Sequence, residues 1–163
     1  MTRIDMLNVL ADFIQNAVKD LILPVRQKPN EAVDGARAAK VYKMRVPSSR
    51  DAERQVPYII VQIADATDIQ AAGKEVDSSA EVRLVFAVYC RDEEEGSMHL
   101  LNLMERVRIA LLKTVIIGEM YIIDLTKGVE IMPYPDDTAP YYIGSMEMSV
   151  KTPAIEREVE KYL

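Results

Sequence analysis

From Ala80 to Arg91 the chain alternates between apolar and mixed positions. Val82, Leu84, Phe86, Val88 and Cys90 form an unbroken apolar row at the strand period of two, against Glu81, Arg83, Val85, Ala87, Tyr89 and Arg91. One face of this strand is fully apolar. The other is polar at its ends and apolar in its middle, which asks for a second covering layer or another subunit. After an acidic bend the period changes to 3.6. Leu100, Leu103, Met104, Val107, Ala110 and Leu111 fall on one side of a helix, while Asn102, Glu105, Arg106 and Ile109 turn away. Asp92 or Ser97 is placed to cap its start, and Glu93, Glu94 and Glu95 lie near the positive end of its dipole. Laying the Leu100–Leu111 stripe on the Val82–Cys90 face yields a core.

The same patterning extends along the rest of the chain. Thr2 followed by Asp5 has the form of a helix cap, and Met6, Leu10, Phe13, Ile14, Ala17 and Leu21 predict a helix over 3–22 that Pro24 ends. Residues 25–55 hold Pro29, Gly35, Pro47 and the run SSRDAERQ, and read as a partly flexible basic loop. A short strand at 41–46 is the exception, and Pro47 confines it to an edge. Val56 to Ala64 is a β-branched strand, joined to the opening strand by a polar link over 65–78 too short for a crossover. The two strands therefore pair as an antiparallel hairpin. Short strands at 120–125 and 129–132 flank the turn Thr126–Lys127–Gly128. A proline-rich turn then leads to a last strand over 141–150, and 154–163 is a charged helix or tail. The order helix, strands, helix, strands predicts an α+β domain spanning 1–163. Its sheet is mainly antiparallel, with the N-terminal and central helices packed on one face.

Composition narrows the function more than the fold. At 163 residues the chain has the size of one domain with a real core, and no apolar run is long enough to span a membrane. The acid-containing N-terminus is neither a signal peptide nor a basic targeting helix. A single cysteine excludes an internal disulfide and suits a reducing cytoplasm. Eight basic and four acidic residues fall between Arg26 and Arg54, so this segment is net +4 and the remainder −10, against −6 for the whole.

Chemistry is sparse. His99 is the sole histidine and reads as a surface residue of the central helix, with no second histidine, cysteine pair or carboxylate at ligand spacing beside it. Cys90 reads as a small core residue. Triads and zinc sites of the usual kinds are nearly unbuildable from one of each, and scattered glycines make no phosphate-binding loop. Glu93–Glu95 and Asp136–Asp137 read as a solvated helix start and a turn. No catalytic residue, cofactor or metal is therefore expected, and the residues favour a structural or assembly protein. Apolar positions on strands carry that reading, namely Val85, Ala87 and Tyr89 on the odd face, with Met146 and Met148 on the last strand as further subunit contacts.

The N-terminal helix, VPYIIVQI, SSAEVRLVFAVYCRD, LLNLMERVRIALL, and the closing PYYIGSMEMSVKTPAIERE together resemble the tail terminator (tail completion) proteins of long-tailed bacteriophages and prophages. The resemblance covers roughly 41–160. It departs from the family pattern over 26–55 and in the last strand, where Met146 and Met148 stand in place of aromatic residues. It implies a ring, commonly a hexamer, on the head-proximal end of the tail tube. There the ring ends tube polymerisation, contacts the tail tube protein and a head-completion or neck protein, and lets DNA pass without specific binding. Assembly in the host cytoplasm and a final place in the virion follow from the same resemblance. Lys43, Arg45, Arg50 and Arg54 become candidates for docking a partner ring. A neck protein of the same virion, or a dimeric α+β ligand-binding or regulatory domain, are the alternatives.

Overall fold

The computed structural model describes residues 2–26, 35–46, 56–134 and 138–155. The chain opens with α1 (Arg3–Val18), whose cap is reciprocal. The Thr2 hydroxyl accepts from the Asp5 backbone N–H at 3.2 Å, and the Asp5 carboxylate accepts from the Thr2 N–H at 2.7 Å. The helix stops at Val18, short of the expected residue 22. Pro24 disfavours helical geometry at Leu23, and Leu23 is instead fully buried within a strand, β1 (Ile22–Val25). β1 pairs antiparallel with β2 (Gly35–Ala38) as a separate two-stranded sheet. The segment read as a basic loop thus contains strands, and β3 (Lys40–Lys43) follows at once.

The main sheet is built around the expected hairpin of β4 (Tyr58–Ile69) and β5 (Asp77–Tyr89), which pair antiparallel from Tyr58↔Ala87 to Ile69↔Asp77 with a register shift after Ile63. β9 (Tyr141–Lys151) lies on the other side of β5 along its whole length, from Tyr89↔Tyr141 to Ser79↔Lys151. β6 (Ile116–Ile117), β7 (Tyr121–Ile123) and β8 (Val129–Pro133) complete it. The strand order is β3-β4-β5-β9-β7-β6, with β8 also on β9. β3 is an edge strand, as Pro47 implied, and it runs parallel to β4.

α2 (Glu93–Thr114) starts at Asp92, whose carboxylate accepts from the Glu95 N–H at 2.9 Å. The helix ends three residues after Leu111, where Val115 adopts φ 60° and its N–H returns to the Leu111 carbonyl at 2.8 Å. That position precedes the glycine expected to mark the stop, Gly118. Two close approaches seat the helix. Gly96 lies against the Tyr142 ring and Gly144 against the Met104 thioether, so a methyl group at either would overlap its neighbour.

Both helices cover one face of the sheet in one continuous core. Ile14, Val18, Leu84, Phe86, Val88, Leu103, Met104, Val107 and Leu111 are each 0% exposed within it. The fold is α+β with a mostly antiparallel sheet and its helices on one side.

Candidate functional site

The pleat assigns each strand residue to the helix-covered face or the outer face, and this sorts the expected interface residues. Met146 and Met148 sit opposite Leu84 and Val82 in register and are 0% and 2% exposed. They point under the helices, so the expectation that they form a subunit contact is corrected: they are core. Ala87 and Tyr89 do lie on the outer face, but they are 2% and 4% exposed. They form a second small apolar cluster with Val56, on which Tyr58, Tyr141 and Ile143 pack. Register explains the cover. Tyr58 and Ile143 flank Ala87 on either side, and Tyr141 flanks Tyr89, with the two rings 5.7 Å apart and tilted by 52°. Large neighbours roof a small residue, and the chain hides this patch by itself. Only Val85 of the three remains half-buried, between Ile60 and Ser145.

Further along the outer face the surface turns polar. Arg83 pairs with Glu147 at 2.9 Å and Lys127 with Glu81 at 3.8 Å. Beyond them β4 loses its outer neighbour, and past Thr67↔Ser79 the β4–β5 ribbon runs on by two residue pairs and its loop. β9 accompanies β5 only as far as Ser79, and β3 accompanies β4 only over Tyr58–Val61. Residues 64–75 are all exposed, with Ile69 at 56%. The ribbon's base is tied to α1 through Arg3, which donates to the Ser79 carbonyl at 3.1 Å and pairs with Asp68 at 3.1 Å. Asp68 also accepts from the Ser78 hydroxyl, and that bond, then Arg3, holds its carboxyl below the usual range.

The expected basic docking residues separate. Lys43 lies in β3, where its ammonium donates to the Asn8 side chain at 2.8 Å. Arg45 is exposed just beyond the strand end. Arg50 and Arg54 lie outside the described residues, as does most of the closing segment 154–163.

One constellation went unread in the sequence. Cys90, Glu95 and His99 each present a ligand atom within 4.8 Å of the other two. The signal was the i, i+4 spacing of Glu95 and His99 on one helix face, which does place a carboxylate beside the histidine. That the strand end would bring the thiol to the same place needed the three-dimensional turn at Arg91–Asp92.

No protein-family model matches the chain, and no curated protein is similar to it in sequence. Among solved structures of similar fold, one whose name states no function covers 95% of this chain and 95% of its own, at 11% identity and a TM-score of 0.49. That likeness carries no functional argument.

Proposed function

We propose that the chain is a structural subunit of phage or prophage tails, a tail terminator that closes the tail tube as a homo-oligomeric ring. The observation that carries this reading is the projecting β4–β5 ribbon. Its outer edge, β4 beyond Val61, has no strand partner among the described residues, and an unpaired edge is a template for another chain. A neighbouring copy is the natural occupant of that edge. Asp65, Asp68, Glu75 and Asp77 make the ribbon predominantly acidic, while Lys40, Lys43 and Arg45 line the edge at β3. Complementary charges on different parts of one subunit favour a head-to-tail contact, which closes into a ring when the rotation per subunit divides a full turn. The sequence resemblance supplies the expected hexamer and the position on the tail.

The test pairs mass with phenotype. Purified protein should assemble into a ring, alone or on tail tubes, and loss of its gene from a functional prophage should give over-long tails by electron microscopy. Tails of normal length that fail to join heads would instead assign it to the neck. A chain that remains a dimer even on tail tubes would point to the regulatory alternative.

A further inference from the structure

We propose that Cys90, Glu95 and His99 form a binding site for a zinc-class transition metal. The thiolate, carboxylate and imidazole come from two elements that the fold fixes against each other. Cys90 follows β5 directly and its N–H donates to the Pro140 carbonyl at 3.0 Å, while Glu95 and His99 stand one turn apart on α2. The Asp92 cap sets where that first turn begins. Cys90 is 6% exposed yet belongs to neither apolar cluster, and its thiol has no hydrogen-bond partner among the described residues. It lines a cleft shared with Glu95, His99 and the β1–β2 hairpin.

Distances and charge suit the metal. Tetrahedral zinc with bonds of about 2.0–2.3 Å separates its ligand atoms by roughly 3.3–3.6 Å. A set within 4.8 Å needs to close by only about 1 Å, within the reach of a Glu95 rotamer. Binding forms the S–Zn bond as the thiol proton leaves to solvent, and the divalent charge is then balanced by one thiolate and one carboxylate. Sulfur and nitrogen ligands select against magnesium and calcium, which prefer oxygen alone. The open side of the cleft leaves a fourth position for water. The metal would tie the end of β5 to the first turns of α2, and the proposal is independent of the assembly reading.

Cobalt(II) titration of the reduced protein tests it. The expected result is one equivalent bound, with a thiolate-to-cobalt charge-transfer band and four-coordinate visible bands, both abolished by zinc but not by magnesium. Cys90→Ser should remove the charge-transfer band and weaken zinc binding on the order of 100-fold or more, since even outer partners of a site are worth about 10–100-fold. Glu95→Gln and His99→Gln should each weaken it at least about tenfold by the same comparison, and Glu93→Gln should not. Glu95 is exposed and His99 half-buried, so these variants decide the matter even where Cys90→Ser lowers stability. A six-coordinate spectrum without the sulfur band, wild-type affinity in Cys90→Ser, or equal losses in Glu93→Gln and Glu95→Gln would overturn the proposal.

Discussion

Replacing Tyr89 by alanine distinguishes a seam between subunits from a patch that the subunit covers for itself. Tyr89 is 4% exposed, its ring packs on Tyr141 at 5.7 Å, and its hydroxyl accepts from the Arg91 side chain at 3.4 Å. Buried aromatic residues cut to alanine cost about 3–5 kcal/mol through lost transfer energy and the residual cavity. The aromatic pair supplies about 0.5–1.5 kcal/mol of that. The long hydroxyl bond adds little, and Tyr58 and Tyr141, themselves only partly buried, can settle into part of the gap. The expected loss is therefore at the lower end, about 3 kcal/mol. Urea unfolding at protein concentrations low enough to hold monomer, followed by far-ultraviolet circular dichroism, measures it. A double-mutant cycle with Tyr141→Ala isolates the pair. Were the variant within about 1 kcal/mol of wild type in monomer, a difference too small for a filled aromatic site, and impaired only in ring formation, the outer patch would be an intersubunit seam. The chain would then not cover this patch by itself.

Leu103→Ala, at a position 0% exposed between helix and sheet, should cost about 2–4 kcal/mol in the same assay. Gly96→Ala gains helix propensity of about 1 kcal/mol but drives a methyl into the Tyr142 ring, so a net loss of about 1–2 kcal/mol and a lower melting temperature are expected. A higher melting temperature would mean that Tyr142 swings aside freely. Acid should loosen the base of the ribbon. Asp68 is held below its ordinary value of 3.8 by the Ser78 hydroxyl and Arg3, so its contribution is fully present above that value and is lost as pH falls through the folded-state value. Hydrogen-exchange protection at Thr67–Ser79, taken relative to the intrinsic rate at each pH, should fall over that acid range, and Asp68→Asn should show low protection already at neutral pH.

Much of the fold was legible because periodicity reports burial directly. The β5 row, the α2 stripe and the β4–β5 hairpin followed from spacing alone, and Thr2 and Asp92 were readable as caps. The misses have physical causes. A proline limits where a helix can run but not how early it yields, so α1 gave up Leu21 once Leu23 could bury in β1. Strands of four residues, such as β1 and β2, are too short for alternation to stand out beside a helix end or in a basic segment. Met146 and Met148 read as subunit contacts because alternation alone does not say which face of a strand is covered; their register opposite Leu84 and Val82 does, and one residue of slip reverses every side chain. Cys90 and His99 belong to different elements, and no sequence spacing measures the turn between them.

The covered outer face also bears on how a ring would be held together. An apolar outer face would make assembly insensitive to salt, because burial of Val85, Ala87 and Tyr89 would drive it. With Ala87 and Tyr89 already covered and the neighbouring surface held by Arg83–Glu147 and Lys127–Glu81, that face has little apolar area left to offer. The exposed backbone edges and acidic side chains lie instead on the ribbon, and the basic side chains on the β3 edge. A contact made there gains main-chain hydrogen bonds as its constant part and charge attraction as its variable part. Exposed charges are screened beyond about 8 Å at physiological ionic strength. Ring formation should therefore weaken steeply as salt rises, and Arg45→Glu should mimic high salt. Combining it with Asp65→Arg and Glu75→Arg should restore assembly through the reversed pair.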